Sequence, residues 1–490
     1  MSASQIWQHD AVGQAELIRS GDIAPAAAVD EAIRRAERLD PAINSIVHPR
    51  FEQAADDVAT LTAGPFAGVP FAVKDWKCTT AGEPSTWAMQ AFVDIDRRAE
   101  YTTELAKRYR TAGLVSIGRT NLPELAFGPP TTEPDAHGVC RNPWALDRSV
   151  GGSSGGAAAI VAAGIVPAAN ASDGGGSLRI PAACNGLVGL KVSRGRITNA
   201  PGAEGRGTKV EGHVARTVRD VAALLDATAG SLPGEPYALP VPATPWAEST
   251  QRAPERLRIG LLDRAPGAMD RAGDCGERNR RAVEAAAALL GDIGHVVDAA
   301  HPAALDEPLR TPNLYAAERA ALLTTIEAAL GRPMTADDVE PRTWAMFELA
   351  ASSQGPVVIE ELGREQQWAR AVSSWWRTEP HRDDAPGYDL LLTPALGRDV
   401  PLLGELKETA DDPLGTMGAG FPLAWFTYPF NATGHPAIVV PVLPPDDGVE
   451  PPTAVQLVAA HGREDLLLAV AQTLEDELQW PSWWPSFATG

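Results

Sequence analysis

Between Val150 and Arg196 the chain reads VGGSSGGAAAIVAAGIVPAANASDGGGSLRIPAACNGLVGLKVSRGR, with two glycine-rich loops that each carry serine. A serine hydroxyl becomes a nucleophile when a neighbouring base takes its proton. GGSSGG alone would serve as a flexible linker. Its context argues otherwise, because Ala157 to Ala163 is a strong helix former and Ile165 to Ala171 is strand-like. A helix of about ten residues rises roughly 15 Å, and a strand of five to seven residues returns roughly 16–23 Å. Up the helix and back along the strand, Ser177 arrives near Ser153.

Each loop has a chemical use. Ser153 and Ser154 fall at a helix N-terminus, where unpaired N–H groups and the macrodipole favour negative charge. Gly174, Gly175 and Gly176 lack Cβ atoms, so their amides, with that of Ser177, can turn inward as an oxyanion hole. A base is still required. The nine histidines are scattered, and His213, His435 and His461 are as readily structural as catalytic. Lysine serves if burial lowers its pKa by a few units from ~10.4. Lys74 ends the apolar run 68–73 and is the best candidate, although a lysine after a strand more often snorkels to the surface.

The elements that must hold these residues alternate. A helix is predicted over about 13–39, closed by Asp40-Pro41, then a strand over 68–73, a helix over 102–112 and a strand over 114–117. Residues 231–254 are dense in proline and read as a surface connection. A strand over 257–262, a helix over about 277–291 and a mostly helical stretch over 313–378 follow. That stretch carries Trp344, Trp368, Trp375 and Trp376, expected in the core of a cover over the sheet rather than on ligand. Trp480, Trp483 and Trp484 in the tail suit packing onto the body or a subunit contact. Short strands alternating with helices define an α/β layer fold.

At 490 residues the chain exceeds the ~250–300 residues at which single cores stop growing, so it holds two or three domains or one large layered structure. A net charge of −21 makes nucleic acid and anionic membranes poor partners. Cys78, Cys140, Cys184 and Cys275 are far apart and suggest neither disulfides nor a metal site. No apolar run approaches ~18 residues and no basic-then-apolar leader opens the chain, so a cytoplasmic protein is expected.

The motifs together resemble the amidase signature family. GVPFAVKD (68–75) is similar to its lysine strand, and GGSSGG (151–156) with SDGGGSLRIPAA (172–183) to its central signature. GLVGLK (186–191), RTN (119–121), ARTVRD (215–220), LLLTP (390–394), FNATGHPA (430–437) and GREDLLL (462–468) are similar to further blocks. The resemblance implies one domain over 1–490: a large mixed central sheet between helices, with a helical insertion over the active site. Within it the core signature spans about 68–230, the proline-rich connection 231–256, the helical cover about 305–385 and the C-terminal core 386–480.

By the same resemblance Ser177 is the nucleophile, Ser153 a bridging serine after a cis peptide bond, and Lys74 the ultimate base. Gly174, Gly175 and Gly176 line the oxyanion hole, Asp173, Arg179 and Ser154 brace it, and Asn121 faces the substrate. The implied reaction hydrolyses an amide or carbamate of a small molecule without metal or organic cofactor; base rate alone, with the oligomeric state open, favours a homodimer. Departures exist: Gly174 stands where the family often has Thr or Ile, Asn185 interrupts an aromatic-Cys-Gly pattern, and Val192 replaces a common proline. TTEPDAHG (131–138) and RNPWALDRSVGGSSGG (141–156) look most like hydrolases of the 6-aminohexanoate cyclic-dimer type. Amidotransferase A subunits fit less well, since they usually carry glutamine where Ile180 stands. Two other readings remain: a nucleophile elbow at Gly151-x-Ser153-x-Gly155 with His435 as base, and a catalytically inactive binding protein.

Overall fold

The computed structural model describes residues 3–202, 205–267, 275–307, 309–376, 387–445 and 449–489. Thirteen strands are present among them: β1 (Ile46–Pro49), β2 (Pro70–Lys74), β3 (Val115–Thr120), β4 (Arg141–Asn142), β5 (Ala145–Ser149), β6 (Ala168–Asp173), β7 (Val188–Lys191), β8 (Val210–Ala215), β9 (Arg258–Leu261), β10 (Val296–Asp298), β11 (Leu390–Pro394), β12 (Ala437–Leu443) and β13 (Thr453–Ala459). Eleven of them form one sheet in the order β1-β3-β2-β6-β8-β7-β12-β13-β11-β9-β10, and β4 with β5 makes a separate hairpin. The sheet is mixed. β2 runs parallel to β3 and β6, whereas β8 is antiparallel to both β6 and β7.

Burial explains the strand chemistry. β6, β8 and β11 are buried at every position. β11 therefore reads as an apolar run, whereas the polar Asn170 of β6 and Glu211 and His213 of β8 are buried by pairing with one another and with the Tyr109 hydroxyl. The helix Gly155–Ala162 is buried all round, as its alanine-rich sequence requires. Two large apolar clusters lie on the sheet, one including Phe71, Leu190, Val440 and Leu467, the other Ile117, Ala158, Leu178 and Val439.

Two expectations change. The 13–39 segment is two helices, Ala11–Arg19 and Pro25–Ile43, and Asp40-Pro41 does not end the second. Pro41 removes one hydrogen bond in the last turn. The stop is Asn44, in the left-handed region at φ 51°, with its N–H on the Asp40 carbonyl. The stretch after 311 holds three helices, Pro312–Leu330, Pro341–Ala351 and Gly355–Ser373. Trp368 and Trp376 are buried in one apolar cluster with Leu391 and Phe430. The end of the expected cover, 377–385, lies outside the described residues.

The tail packs on its own chain. The Trp480 indole N–H donates to the Arg216 carbonyl, and the Arg216 guanidinium lies 3.4 Å from the Trp484 ring centroid. Residues 231–245 run without helix or sheet strand along an exposed path, and Trp246 then plugs into the core. Among the described residues no helix is long and apolar enough to cross a membrane.

Candidate active site

Three elements converge below one cleft. β2 delivers Lys74 at its C-terminal end, β6 delivers Ser172 and Asp173, and the helix Gly155–Ala162 begins just after Ser153 and Ser154. Helix and returning strand are eight and six residues long, close to the lengths the sequence predicts. The peptide bond Gly152–Ser153 is cis. The Ser154 N–H donates to the Ser177 carbonyl at 3.0 Å, so the two serine loops are joined directly. Gly156 lets the helix start against the segment after β3: a Cβ there would lie 2.4 Å from the Asn121 nitrogen.

Lys74 is buried, 1% exposed. Its Nζ lies 2.7 Å from Ser153 Oγ, 2.9 Å from Ser154 Oγ and 3.1 Å from Ser172 Oγ. Ser154 Oγ also accepts from the Ser172 N–H and donates to the Ser172 carbonyl, which fixes both hydroxyl and strand. Burial drives the Lys74 pKa down to about 7, partly offset by the charges of Glu211 and Asp173. The ammonium and the free amine are therefore both present near neutrality, as a general base requires.

Asp173 and Arg179 lie wholly inside. Arg179 Nε donates to Asp173 Oδ2 at 2.8 Å and Nη2 to Oδ1 at 3.0 Å. Arg179 further donates to Asn431 Oδ1 and Gln456 Oε1, tying the loop to a C-terminal helix and to β13. Burial alone would raise the Asp173 pKa, but the charge and hydrogen bonds of Arg179 outweigh it and hold the carboxyl below its usual range. The pair is a brace, with every strong donor satisfied.

The same brace changes the assignment of the glycine amides. Gly176 donates its N–H to Asp173 Oδ1 at 2.7 Å, so it is not an oxyanion donor in this geometry. Its role is conformational. It takes φ 128°, and a Cβ there would lie 2.3 Å from Thr427 Oγ1. Gly174, Gly175 and Ser177 line the cleft, and among the described residues their N–H groups have no protein acceptor.

Asn121 does not face the cleft. It is fully buried, with Nδ2 donating to the carbonyls of Asn44 and Gly138 and Oδ1 accepting from the Leu122 N–H. Every polar atom of that side chain is used on backbone. His435 is held away from the cleft: it is buried, its Nδ1 pairs with Thr433 Oγ1, and its ring stacks on Trp376. His213 pairs with the Tyr109 hydroxyl. Neither histidine lines the cleft that holds Ser153.

The cleft encloses about 550 Å³, within the range of small-molecule sites. Trp76, Phe127, Ile180, Tyr315, Phe421 and Tyr428 give it an apolar wall, and Arg206 contributes a charge already paired with Glu318 and Glu365. Glu211 also lines it, a residue the sequence reading missed. It stands opposite Ser172 on β8, accepts from Asn170 Nδ2, and burial raises its pKa. The available signal was an acid inside VEGHVA, a strand otherwise too apolar for a surface edge.

Among the described residues, one group has metal-ligand chemistry: His48, Asp75 and His137 hold their donor atoms within 4.8 Å of one another. The Thr86 hydroxyl sits among them, at 3.0 Å from His48, 2.9 Å from His137 and 2.7 Å from Asp75. That network ties all four groups together and anchors the residue after Lys74, with Arg119 on the other carboxylate oxygen.

A family model described as Amidase matches residues 27–468, and the chain belongs to this family, the amidase signature enzymes. It is a hydrolase of amide C–N bonds. Among curated relatives it is 38% identical over 493 residues to the 6-aminohexanoate-cyclic-dimer hydrolase of Paenarthrobacter ureafaciens, covering 98% of this chain and 97% of that one. It is 34% identical to a putative amidase, AmiC, of Mycobacterium leprae, covering 96% of this chain and 95% of the relative. The solved structure of 6-aminohexanoate cyclic dimer hydrolase complexed with substrate superimposes with TM-score 0.90 at 37% identity, covering 99% of both chains. A bacterial aryl acylamidase shares the fold at TM-score 0.83 and 24% identity.

Proposed function

We propose that Ser177 attacks the carbonyl of a small amide and forms an acyl-enzyme, with Lys74 as the base and Ser153 as the proton relay. The observation that carries this is the 2.7 Å contact between a buried Lys74 Nζ and Ser153 Oγ in the cleft that also holds Ser177. Neutral Lys74 takes the Ser153 proton as Ser153 takes that of Ser177, whose oxygen bonds to the carbonyl carbon. Negative charge on the tetrahedral oxygen is met by the N–H groups of Gly174, Gly175 and Ser177. Ser153 then gives its proton to the leaving nitrogen, the C–N bond breaks, and Lys74 resupplies Ser153. Water repeats the relay on the ester and releases the acid.

The substrate class is a small neutral amide, cyclic or linear, including the cyclic dimer of 6-aminohexanoate. Likeness to the named hydrolases and the apolar wall support it. Ile180 in that wall also disfavours a glutaminase role, since it offers no hydrogen bond to a carboxamide. Aryl amides and carbamates present the same acyl carbon and belong to the same proposal. Hydrolysis of a matched panel of cyclic 6-aminohexanoate dimer, aryl amide, aryl carbamate and ester tests it, with Ser177→Ala as control. Preference for one class, abolished by Ser177→Ala, is the expected result. Turnover surviving in Ser177→Ala, or none on any substrate, overturns it.

A further inference from the structure

A second cavity, of about 570 Å³, adjoins the catalytic cleft and reaches the surface beside Glu100, Tyr101 and Ala328, and Lys77 and Glu211 line both spaces. Trp76 faces the cleft and Trp87 the second chamber, with ring centroids 5.1 Å apart, so this pair forms part of the partition. One helix, Pro312–Leu330, runs past both. Tyr315, Glu318 and Arg319 line the cleft, and Leu322, Thr325 and Ala329 line the chamber. Positions 315, 319, 322, 325 and 329 recur every three or four residues, with Glu318 beside Arg319, and therefore share one helix face. From 315 to 329 that face extends about 21 Å at ~1.5 Å per residue, far more than a small cyclic amide spans.

The shared residues lie on a definite side of the reaction. Glu211 pairs across the sheet with Ser172, and Ser172 and Ser153 both contact Lys74. Gly174 and Gly175 lie beyond the end of β6, on the oxyanion side. The relay side is where the leaving nitrogen collects its proton. The chamber beyond it combines apolar walls, including Trp87, Leu105 and Leu322, with the polar Thr79, Asn199 and Thr325.

We infer that the second chamber is a subsite for the amine portion of long linear amides, whose chain passes the Lys77–Glu211 neck while the carbonyl sits at Ser177. This rests on the catalytic reading above and extends it to amides of long-chain amines and to oligoamides lengthened on the amine side. The test compares hexanoyl ethylamide, hexanoyl dodecylamide and dodecanoyl ethylamide on the wild type and on Thr325→Trp and Ala328→Trp. Both positions are exposed on the helix, so the substitutions fill the chamber without touching the core. The wild type favours hexanoyl dodecylamide over hexanoyl ethylamide in kcat/KM. The tryptophan variants lose about tenfold or more on the dodecylamide and stay within about twofold on the ethylamide. Equal losses on both, an unaffected dodecylamide, or a selective loss on dodecanoyl ethylamide overturns the assignment. If the wild type cleaves none of these amides but hydrolyses a member of the panel above, the extension to long-chain amines fails; if it hydrolyses no member of that panel either, the catalytic reading fails instead. Dodecylamine binding by calorimetry then decides the chamber separately: binding to the wild type but not to Thr325→Trp supports it, and equal or absent binding contradicts it.

Discussion

Activity is expected to rise with pH through about 7, and Glu211→Gln to move that rise to lower pH. Lys74 must be neutral to accept a proton, and burial brings its pKa from 10.5 to about 7. An unperturbed lysine would be neutral in about one molecule in 3,000 at pH 7, whereas here about half are, a gain of roughly 1,500-fold in active base. Below the midpoint kcat/KM falls about tenfold per pH unit. The Glu211 carboxylate favours the ammonium and so holds the midpoint up. Removing that charge lowers the Lys74 pKa further, while the glutamine oxygen still accepts from Asn170. Because burial raises the Glu211 pKa, its effect operates only while it is ionised and fades as it protonates in acid. The assay is kcat/KM against pH from 5 to 9 with an uncharged amide. A flat wild-type profile between pH 6 and 8 would refute the base assignment. A midpoint unmoved or raised in Glu211→Gln would refute the electrostatic reasoning.

Two further outcomes follow from the hydrogen-bond geometry. Asp173→Asn leaves Arg179 as a buried charge without its carboxylate, which costs about 3–5 kcal/mol of stability, and it weakens the acceptor that holds Gly176. Denaturant titration should show that loss, together with a fall in kcat larger than any change in KM. Asn121→Ala removes buried backbone partners at a cost of about 1–3 kcal/mol. Its Tm should drop while KM on a small amide stays within about twofold, since Asn121 is turned away from the cleft.

Much of this site was legible because local geometry is written locally. Ser153 and Ser177 are joined by one short helix and one short strand, and the small-residue pattern between them fixes both lengths. Lys74 was visible as a lysine at the end of an apolar strand, but its burial depends on β3 and β6 flanking it, which no local pattern specifies. The Asp173–Arg179 brace needs Asn431 and Gln456, more than 250 residues away in sequence. Gly176 was grouped with its neighbours because three glycines look alike as letters; the Asp173 carboxylate distinguishes them by claiming one amide. Asp40-Pro41 misled because proline weakens a helix end without terminating it there, and the left-handed Asn44 does the stopping.

The most direct test of the central claim is to trap the acyl-enzyme and locate it. A slowly deacylating carbamate or sulfonyl fluoride is incubated with the protein, and the digested peptides are mapped by mass spectrometry. The account predicts a single adduct on Ser177, lost in Ser177→Ala and slowed by Lys74→Ala. An adduct on Ser153, or labelling that persists in Ser177→Ala, would contradict it.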